Sequence, residues 1–179
     1  MNALPDASLF RAYDIRGIVG KTLHESDFYA IGQAFASHVI DTVNCRTPQI
    51  VLMRDGRHSS PALAQAMREG MASSGATVLD AGIGPTPMCY FATHWLAADA
   101  SVMVTGSHNP KDHNGAKFTC LGASVHSDAL MALRTRIETQ DLIRGRGHSD
   151  ETSVMQEYIA ELVKVLPARI KVGALRIAR

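Results

Sequence analysis

The sequence predicts an α/β domain, a three-layer sandwich with a mixed, mainly parallel sheet, and three observations carry that reading. Short apolar runs at 49–53, 77–79 and 100–104 alternate with stretches whose apolar residues recur at three- and four-residue steps, the pattern of strands joined by crossover helices. The run Gln49-Ile50-Val51-Leu52-Met53 is apolar without alternation, as expected of a central strand covered on both faces. The chain has 179 residues, of which 46% are hydrophobic and 20% charged, a globular composition sufficient for one sizeable core. Right-handed crossovers then place helices on both sides of the sheet.

The elements follow in order. Residues 9–20 open with a short strand and turn at Asp14-Ile15-Arg16-Gly17. Phe28, Ile31, Phe35 and Val39 form one stripe and predict a helix over 25–41, closed by a loop from Asn44 to Pro48. After the central strand, Arg54-Asp55-Gly56-Arg57 leads to Ser60-Pro61, where a serine cap and a first-turn proline predict a helix that buries Leu63, Met67 and Met71. Thr77-Val78-Leu79 reads as a short strand and Ala81-Gly82-Ile83-Gly84 as a turn. Thr86-Pro87 repeats the cap-then-proline device before Met88, Phe91 and Trp95, all three expected in the core. A strand over 100–104 follows, then a return strand near Phe118-Thr119-Cys120-Leu121 and a helix from Ser127-Asp128 that buries Leu130, Leu133 and Ile137. Gly145-Arg146-Gly147-His148 has the composition of a linker. A last helix is expected from about Asp150, with Val154, Tyr158, Leu162 and Leu166 as its stripe and Pro167 as its stop. The resulting division is a domain over 1–147 and a linker helix with the start of a second domain over 148–179.

Charge and composition exclude several function classes. Lys+Arg number 18 against 17 Asp+Glu, a formal charge of +1, so nothing argues for a nucleic-acid or anionic-membrane partner. No stretch is apolar for long enough to span a membrane, and no basic region followed by an apolar run marks a secretory peptide. Cys45, Cys89 and Cys120 are odd in number and widely spaced; they form neither a metal pair nor a disulfide framework, and reduced, structural thiols in the cytoplasm are expected.

Chemistry concentrates in one stretch. Val102-Met103-Val104 runs as a strand into Thr105-Gly106-Ser107-His108-Asn109-Pro110-Lys111-Asp112-His113-Asn114-Gly115-Ala116-Lys117, a loop that combines a hydroxyl, two imidazoles and an ammonium. Ser107 lies in no G-x-S-x-G elbow, and the loop is no G-x-x-x-x-G-K-[ST] motif. From the residues alone, Ser107 either hydrogen-bonds its own turn or carries chemistry at a reachable loop tip.

Thr105-Gly106-Ser107-His108-Asn109-Pro110 followed by Asn114-Gly115-Ala116-Lys117 resembles the phosphoserine loop of the α-D-phosphohexomutases, in particular the bacterial phosphomannomutase/phosphoglucomutase subgroup. Phe10-Arg11-Ala12-Tyr13-Asp14-Ile15-Arg16-Gly17, Arg54-Asp55-Gly56-Arg57 and Gly84-Pro85-Thr86-Pro87 are similar to further motifs of that family, in the same order. The resemblance covers roughly residues 4–172 and implies the family's first domain. It implies that Ser107 is held as a phosphoserine and exchanges its phosphoryl group with hexose phosphates through a hexose 1,6-bisphosphate, with glucose 1,6-bisphosphate as activator. It gives Lys117 and His108 to proton transfer and loop organisation. Tyr13, Arg16 and Asn109 go to substrate binding, and Arg11, Arg54 and Arg57 support the rim. It also implies Mg²⁺, with one ligand from the phosphorylated Ser107 and the others from an Asp-x-Asp-x-Asp loop of the second domain.

Three departures qualify the resemblance. Ala116 stands where the family often has a larger apolar residue, and Met53 where a glycine is common before Arg-Asp-Gly-Arg. Ile170-Lys171-Val172 resembles the entry strand of the second domain, but Gly173-Ala174-Leu175-Arg176-Ile177-Ala178-Arg179 leaves the pattern, and no aspartate triplet occurs. The expectation is a domain without mutase turnover by itself. The alternatives are a sugar-phosphate-binding or regulatory domain, or one that self-associates through surface normally covered by other domains.

Overall fold

The computed structural model describes residues 4–165. Within them one sheet takes the order β1-β5-β4-β2-β3-β7, with β6 beside β5. Its strands are β1 (Ile15–Ile18), β2 (Gln49–Arg54), β3 (Thr77–Ile83), β4 (Ala100–Val104), β5 (His113–Cys120), β6 (Ala123–Ser124) and β7 (His148–Glu151). The pairs β2–β3, β2–β4 and β3–β7 are parallel, while β5 runs antiparallel to each of β1, β4 and β6. A single reversed strand, β5, therefore sits in an otherwise unidirectional sheet. The helices are α1 (Glu25–Val43), α2 (Ser60–Ser73), α3 (Thr86–Trp95), α4 (Asp128–Thr139) and α5 (Met155–Val165).

Period-2 side-chain alternation divides the core into two layers. Ile50 and Leu52 of β2 join Phe28, Phe35, Leu63, Met67 and Leu130 on the α1/α2/α4 side. Val51 and Met53 join Met88, Cys89 and Ala92 on the α3 side, where Tyr158 of α5 also packs. All four apolar residues of β2 are buried, which bears out the central strand and the three layers. Phe35 and Phe118 tie α1 to the sheet with ring centroids 4.8 Å apart. Asn44 ends α1 in the left-handed region at φ 51°, a conformation asparagine tolerates.

The α1–α2 pair depends on two missing side chains. A Cβ at Gly70 would lie 2.1 Å from the Tyr29 carbonyl oxygen, and one at Gly32 would lie 2.5 Å from that of Met67. Backbone therefore meets backbone at this crossing, with no room for even a methyl group.

Several expectations are corrected. Ser60 does not cap α2: Ser59 occupies the cap position without a side-chain cap bond, and the Ser60 hydroxyl is drawn to Asp55 at 2.5 Å. Thr86 likewise lies inside α3, whose cap is Pro85. Strand β3 continues to Ile83 through the residues read as a turn. Trp95 is 52% exposed; it stacks on Phe91 at 5.5 Å on the outer side of α3. β5 begins at His113, five residues before the run that suggested it. The segment read as a linker delivers β7, whose residues 148–151 pair in parallel with Thr77–Asp80 and so belong to the sheet of the first domain. Helix α5 starts at Met155: Val154 is buried ahead of it and Tyr158 packs on Phe91, whereas Leu162 is exposed. Leu166, Pro167 and the strand expected at 170–172 lie outside the described residues.

Candidate active site

The four strands β4, β2, β3 and β7 end on the same side of the sheet, and the loops that follow β2 and β4 meet there. Binding sites of open parallel sheets form at such strand ends. Asp55, directly after β2, faces the Ser107 loop, directly after β4. The Asp55 backbone N–H donates to the Val104 carbonyl at 3.0 Å. One oxygen of its carboxylate accepts from the Thr105 hydroxyl at 2.8 Å and the Gly106 N–H at 3.1 Å. The other accepts from the Arg57 N–H at 3.0 Å and the Ser60 hydroxyl at 2.5 Å. Burial pushes the Asp55 carboxyl upward, but these donated hydrogen bonds outweigh it, so the group titrates below the ordinary aspartate value.

Arg57 holds the loop from outside. Its guanidinium donates to four carbonyl oxygens: Ser107 at 3.0 Å, Asn109 at 2.7 Å, Pro110 at 2.7 Å and His113 at 3.1 Å. A Cβ at Gly106 would fall 2.4 Å from that guanidinium, which accounts for glycine before the serine. Asn109 closes the turn internally, with its amide nitrogen donating to the Gly106 carbonyl at 2.9 Å. Asn114, fully buried, ties the start of β5 to α2 through Ser59 at 2.8 Å and Ser60 at 2.9 Å.

Held in this way, Ser107 adopts φ +52°, a left-handed conformation that costs a residue with a Cβ about 1–2 kcal/mol. Its N–H donates to the Thr105 hydroxyl at 2.9 Å. Its side chain stays exposed, with Oγ 3.3 Å from His108 Nδ1. The backbone is thus fixed by buried partners while the hydroxyl faces outward.

Two cations share one carboxylate beside this loop. Asp14 Oδ2 lies 2.5 Å from an Arg16 guanidinium nitrogen and 3.3 Å from Lys117 Nζ. Arg16 also donates to Asn109 Oδ1 at 3.4 Å. Of the residues singled out in the sequence, Ser107, His108 and Asn109 share the loop, Arg57 clamps it, and Arg16 and Lys117 stand together next to it. Among the described residues the Arg54 guanidinium donates only to the Asp55 carbonyl, at 3.4 Å. Arg11 turns back to the Ser8 carbonyl at 3.3 Å, and exposed Tyr13 packs its ring 6.0 Å from that of His126; the structure does not bring these two into the loop's hydrogen-bond network. Sequence reading overlooked Asp14, Asp55, Thr105, Asn114 and the true partner of Ser60. The Asp-x-Arg spacing, a carboxylate two residues ahead of a guanidinium that it pairs with, was the available signal for the first of these.

Among the described residues no cluster of three or more His, Cys, Asp or Glu side chains could hold a metal ion, and no helix is long and apolar enough to cross a membrane. Cys45, Cys89 and Cys120 are free thiols, and burial pushes Cys89 up to about 12.

Comparison with known proteins agrees with this architecture. The family model described as phosphoglucomutase/phosphomannomutase, alpha/beta/alpha domain I, matches residues 7–144. The phosphomannomutase/phosphoglucomutase of Pseudomonas putida is 42% identical over 161 residues, which are 90% of this chain and 34% of that protein. The phosphomannomutase of Vibrio cholerae is 33% identical over 174 residues, 94% of this chain and 37% of the relative. A crystal structure of a phosphoglucomutase/phosphomannomutase family protein from Burkholderia thailandensis superposes with a TM-score of 0.86 at 35% identity, covering 93% of this chain and 38% of that one. The chain thus spans about a third of the length of the relatives it matches. It belongs to the phosphoglucomutase/phosphomannomutase family and carries that family's α/β/α domain I.

Proposed function

We propose that the chain is the phosphoryl-carrying domain of a phosphohexomutase that interconverts hexose 1- and 6-phosphates, with Ser107 held as a phosphoserine. The observation that supports this most is the setting of Ser107: an exposed hydroxyl on a left-handed backbone that Asp55 and Arg57 hold from behind. Phosphoryl transfer depends chiefly on alignment and on charge neutralisation, and this loop supplies alignment. In the first half-reaction the bond from phosphorus to Ser107 Oγ breaks as the free sugar hydroxyl takes the phosphoryl group. That hydroxyl's proton passes to Lys117 in its amine form and His108 gives one to the Ser107 oxygen, and both transfers reverse when the phosphoryl group comes back. The hexose 1,6-bisphosphate so formed then presents its other phosphate, which returns to Ser107 and releases the isomeric monophosphate. Arg16 and Asn109 bind phosphate and sugar oxygens, the guanidinium fork suiting phosphate geometry. His108, beside Oγ, steadies the serine oxygen as it gains and loses its phosphoryl group. Free thiols fit a reducing compartment, the cytoplasm.

Mg²⁺ prefers about six oxygen ligands, and the described residues offer the serine oxygen without an acidic cluster around it. The donors of the described residues therefore do not fit a resident Mg²⁺, and none of the steps above runs through it. A metal belongs, in this proposal, to the site completed by further domains.

A coupled assay with glucose 1-phosphate, glucose 1,6-bisphosphate and Mg²⁺ tests the reading. The chain alone is expected to give no measurable turnover, since little else closes the site against water. Joined to the remaining two-thirds of the Pseudomonas putida relative, it is expected to turn over, and Ser107→Ala is expected to abolish that activity. Native-like turnover by the chain alone, or full activity of Ser107→Ala, would refute the proposal.

A further inference from the structure

We infer that Asp14 is a positioning residue that presets the pair Arg16 and Lys117 at the mouth of the Ser107 loop. The inference rests on the function proposed above for its catalytic consequence, and on geometry alone for the arrangement itself.

The arrangement is built into strand register. β1 pairs antiparallel with β5 as Ile15↔Ala116 and Arg16↔Gly115, and Asp14, the residue just ahead of β1, comes beside Lys117, the residue after Ala116, with their side chains 3.3 Å apart. Cross-strand partners face the same side of a sheet, and so do residues two apart on one strand. Arg16 and Lys117 are therefore fixed on one face by backbone pairing, and the turn that sets Asp14 at the start of β1 brings its carboxylate to both. Gly115, across from Arg16, completes the arrangement. A Cβ there would lie 2.0 Å from the Ile15 carbonyl oxygen, so glycine permits the strands' close approach and leaves the space opposite Arg16 open. The backbone N–H of Arg11 donates to the Asp14 carbonyl at 3.0 Å, closing the turn that leads into β1.

The charges then require one another. Asp14 is only 7% exposed, and enclosing a carboxylate is costly unless it is paired and hydrogen-bonded. Both of its partners bond the same oxygen, at 2.5 Å and 3.3 Å. Without that oxygen the guanidinium and the ammonium would be like charges side by side and would splay toward solvent. With it, the phosphate ligand and the proton-transfer group hold a set separation, and Arg16 extends the arrangement to the loop through Asn109. Asp14 touches no reacting atom in this scheme; it acts through its two neighbours. Preorganisation of this kind moves ordering cost out of the substrate-bound state and into folding.

The test reads Lys117 directly. Side-chain ¹⁵N NMR of the 179-residue chain is expected to show the Lys117 ammonium markedly more ordered than those of exposed Lys21 and Lys111. Asp14→Asn, close to isosteric, is expected to bring Lys117 to their mobility while the backbone amides of β4 and β5 keep their shifts. Asp14→Glu is expected to restore part of the order. A wild-type Lys117 as mobile as Lys111 would overturn the inference, and that measurement needs no variant to fold; so would a Lys117 that stays ordered in Asp14→Asn. In the chain joined to the Pseudomonas putida relative's remaining length, Asp14→Asn is expected to lower kcat about 10–100-fold. KM for glucose 1-phosphate should change less than about threefold, since positioning mainly affects the reacting complex. An unchanged kcat in that protein would also overturn the inference. If the joined protein never phosphorylates Ser107, the proposed function fails, and the Lys117 spectra still decide the role of Asp14.

Discussion

Gly70→Ala is expected to lower the stability of the chain by about 2–4 kcal/mol, the upper range for overpacking an interior. The added Cβ would stand 2.1 Å from the Tyr29 carbonyl oxygen and 3.0 Å from its carbon, and backbone atoms on both sides leave no flexible side chain to yield. α1 and α2 must therefore separate by more than about 1 Å to reach ordinary van der Waals contact, loosening the side chains of Phe28, Ile31, Leu63 and Met67 in the shared core. The helix-propensity advantage of alanine over glycine, about 1 kcal/mol, offsets part of the loss and is included in the range. For a chain of this size the midpoint of thermal unfolding should fall by roughly 5–15 °C. Gly56→Ala is the control: its Cβ would meet only Ile83 Cδ1 at 3.7 Å, so a change within about 0.5 kcal/mol is expected. Equal midpoints for the two variants would contradict the close helix crossing.

The second large effect is expected at Asp55. Asp55→Ala leaves the Ser60 and Thr105 hydroxyls and the Gly106 and Arg57 N–H groups without their acceptor. Unsatisfied buried donors cost about 1–3 kcal/mol each when no water replaces the partner. Some rearrange, and a total of about 3–5 kcal/mol is expected by denaturant titration. The loss should concentrate at the Ser107 loop, because Arg57, which also holds that loop from the β2 side, has its own Nε 3.4 Å from the same carboxylate. Hydrogen exchange should therefore accelerate over 105–113 more than in α1. The pH dependence has a definite sign. The folded-state pKa of Asp55 lies below its ordinary value, so its contribution is present above about pH 4 and is lost as pH falls through the folded value. In Asp55→Asn that part of the acid-side loss should vanish. A wild type and Asp55→Asn with identical acid limbs would contradict the hydrogen-bonded carboxylate.

What could be read from the sequence followed hydrophobic period and turn chemistry. The β2 run Ile50-Val51-Leu52-Met53 and the stripe Phe28, Ile31, Phe35 and Val39 announce their elements because the core that buries them is continuous. β7 escaped because His148-Ser149-Asp150-Glu151 is wholly exposed and polar, as suits an edge strand that must discourage further pairing; its strand character comes from β3 alone. Trp95 had the right spacing for the core but stands in the last turn of α3, where it covers Phe91 rather than the sheet. Ser60 had a capping pattern, yet the Asp55 carboxylate from the preceding loop and the Asn114 amide from β5 outcompete the helix end for its hydroxyl.

The same distinction separates the site residues. Ser107, His108, Asn109 and Lys117 were visible because they are close in sequence. Asp14 and Asp55 were not, because each works through partners about 50 to 100 positions away, Asp14 on Lys117 and Asp55 on Thr105. Such carboxylates look like ordinary surface charge until strand register assigns them a place. Arg57 was expected at the rim in general terms; that it holds four loop carbonyls at once could only come from the folded geometry.

The central claim is that Ser107 carries the phosphoryl group, and phosphopeptide mapping by mass spectrometry tests it most directly. The chain joined to the remaining length of the Pseudomonas putida relative would be incubated with glucose 1,6-bisphosphate and Mg²⁺ and then digested. One phosphate confined to the peptide that contains Ser107, lost on adding excess hexose monophosphate, is the expected result. An active protein with no phosphate on Ser107, or with phosphate on another residue that persists in Ser107→Ala, would contradict it.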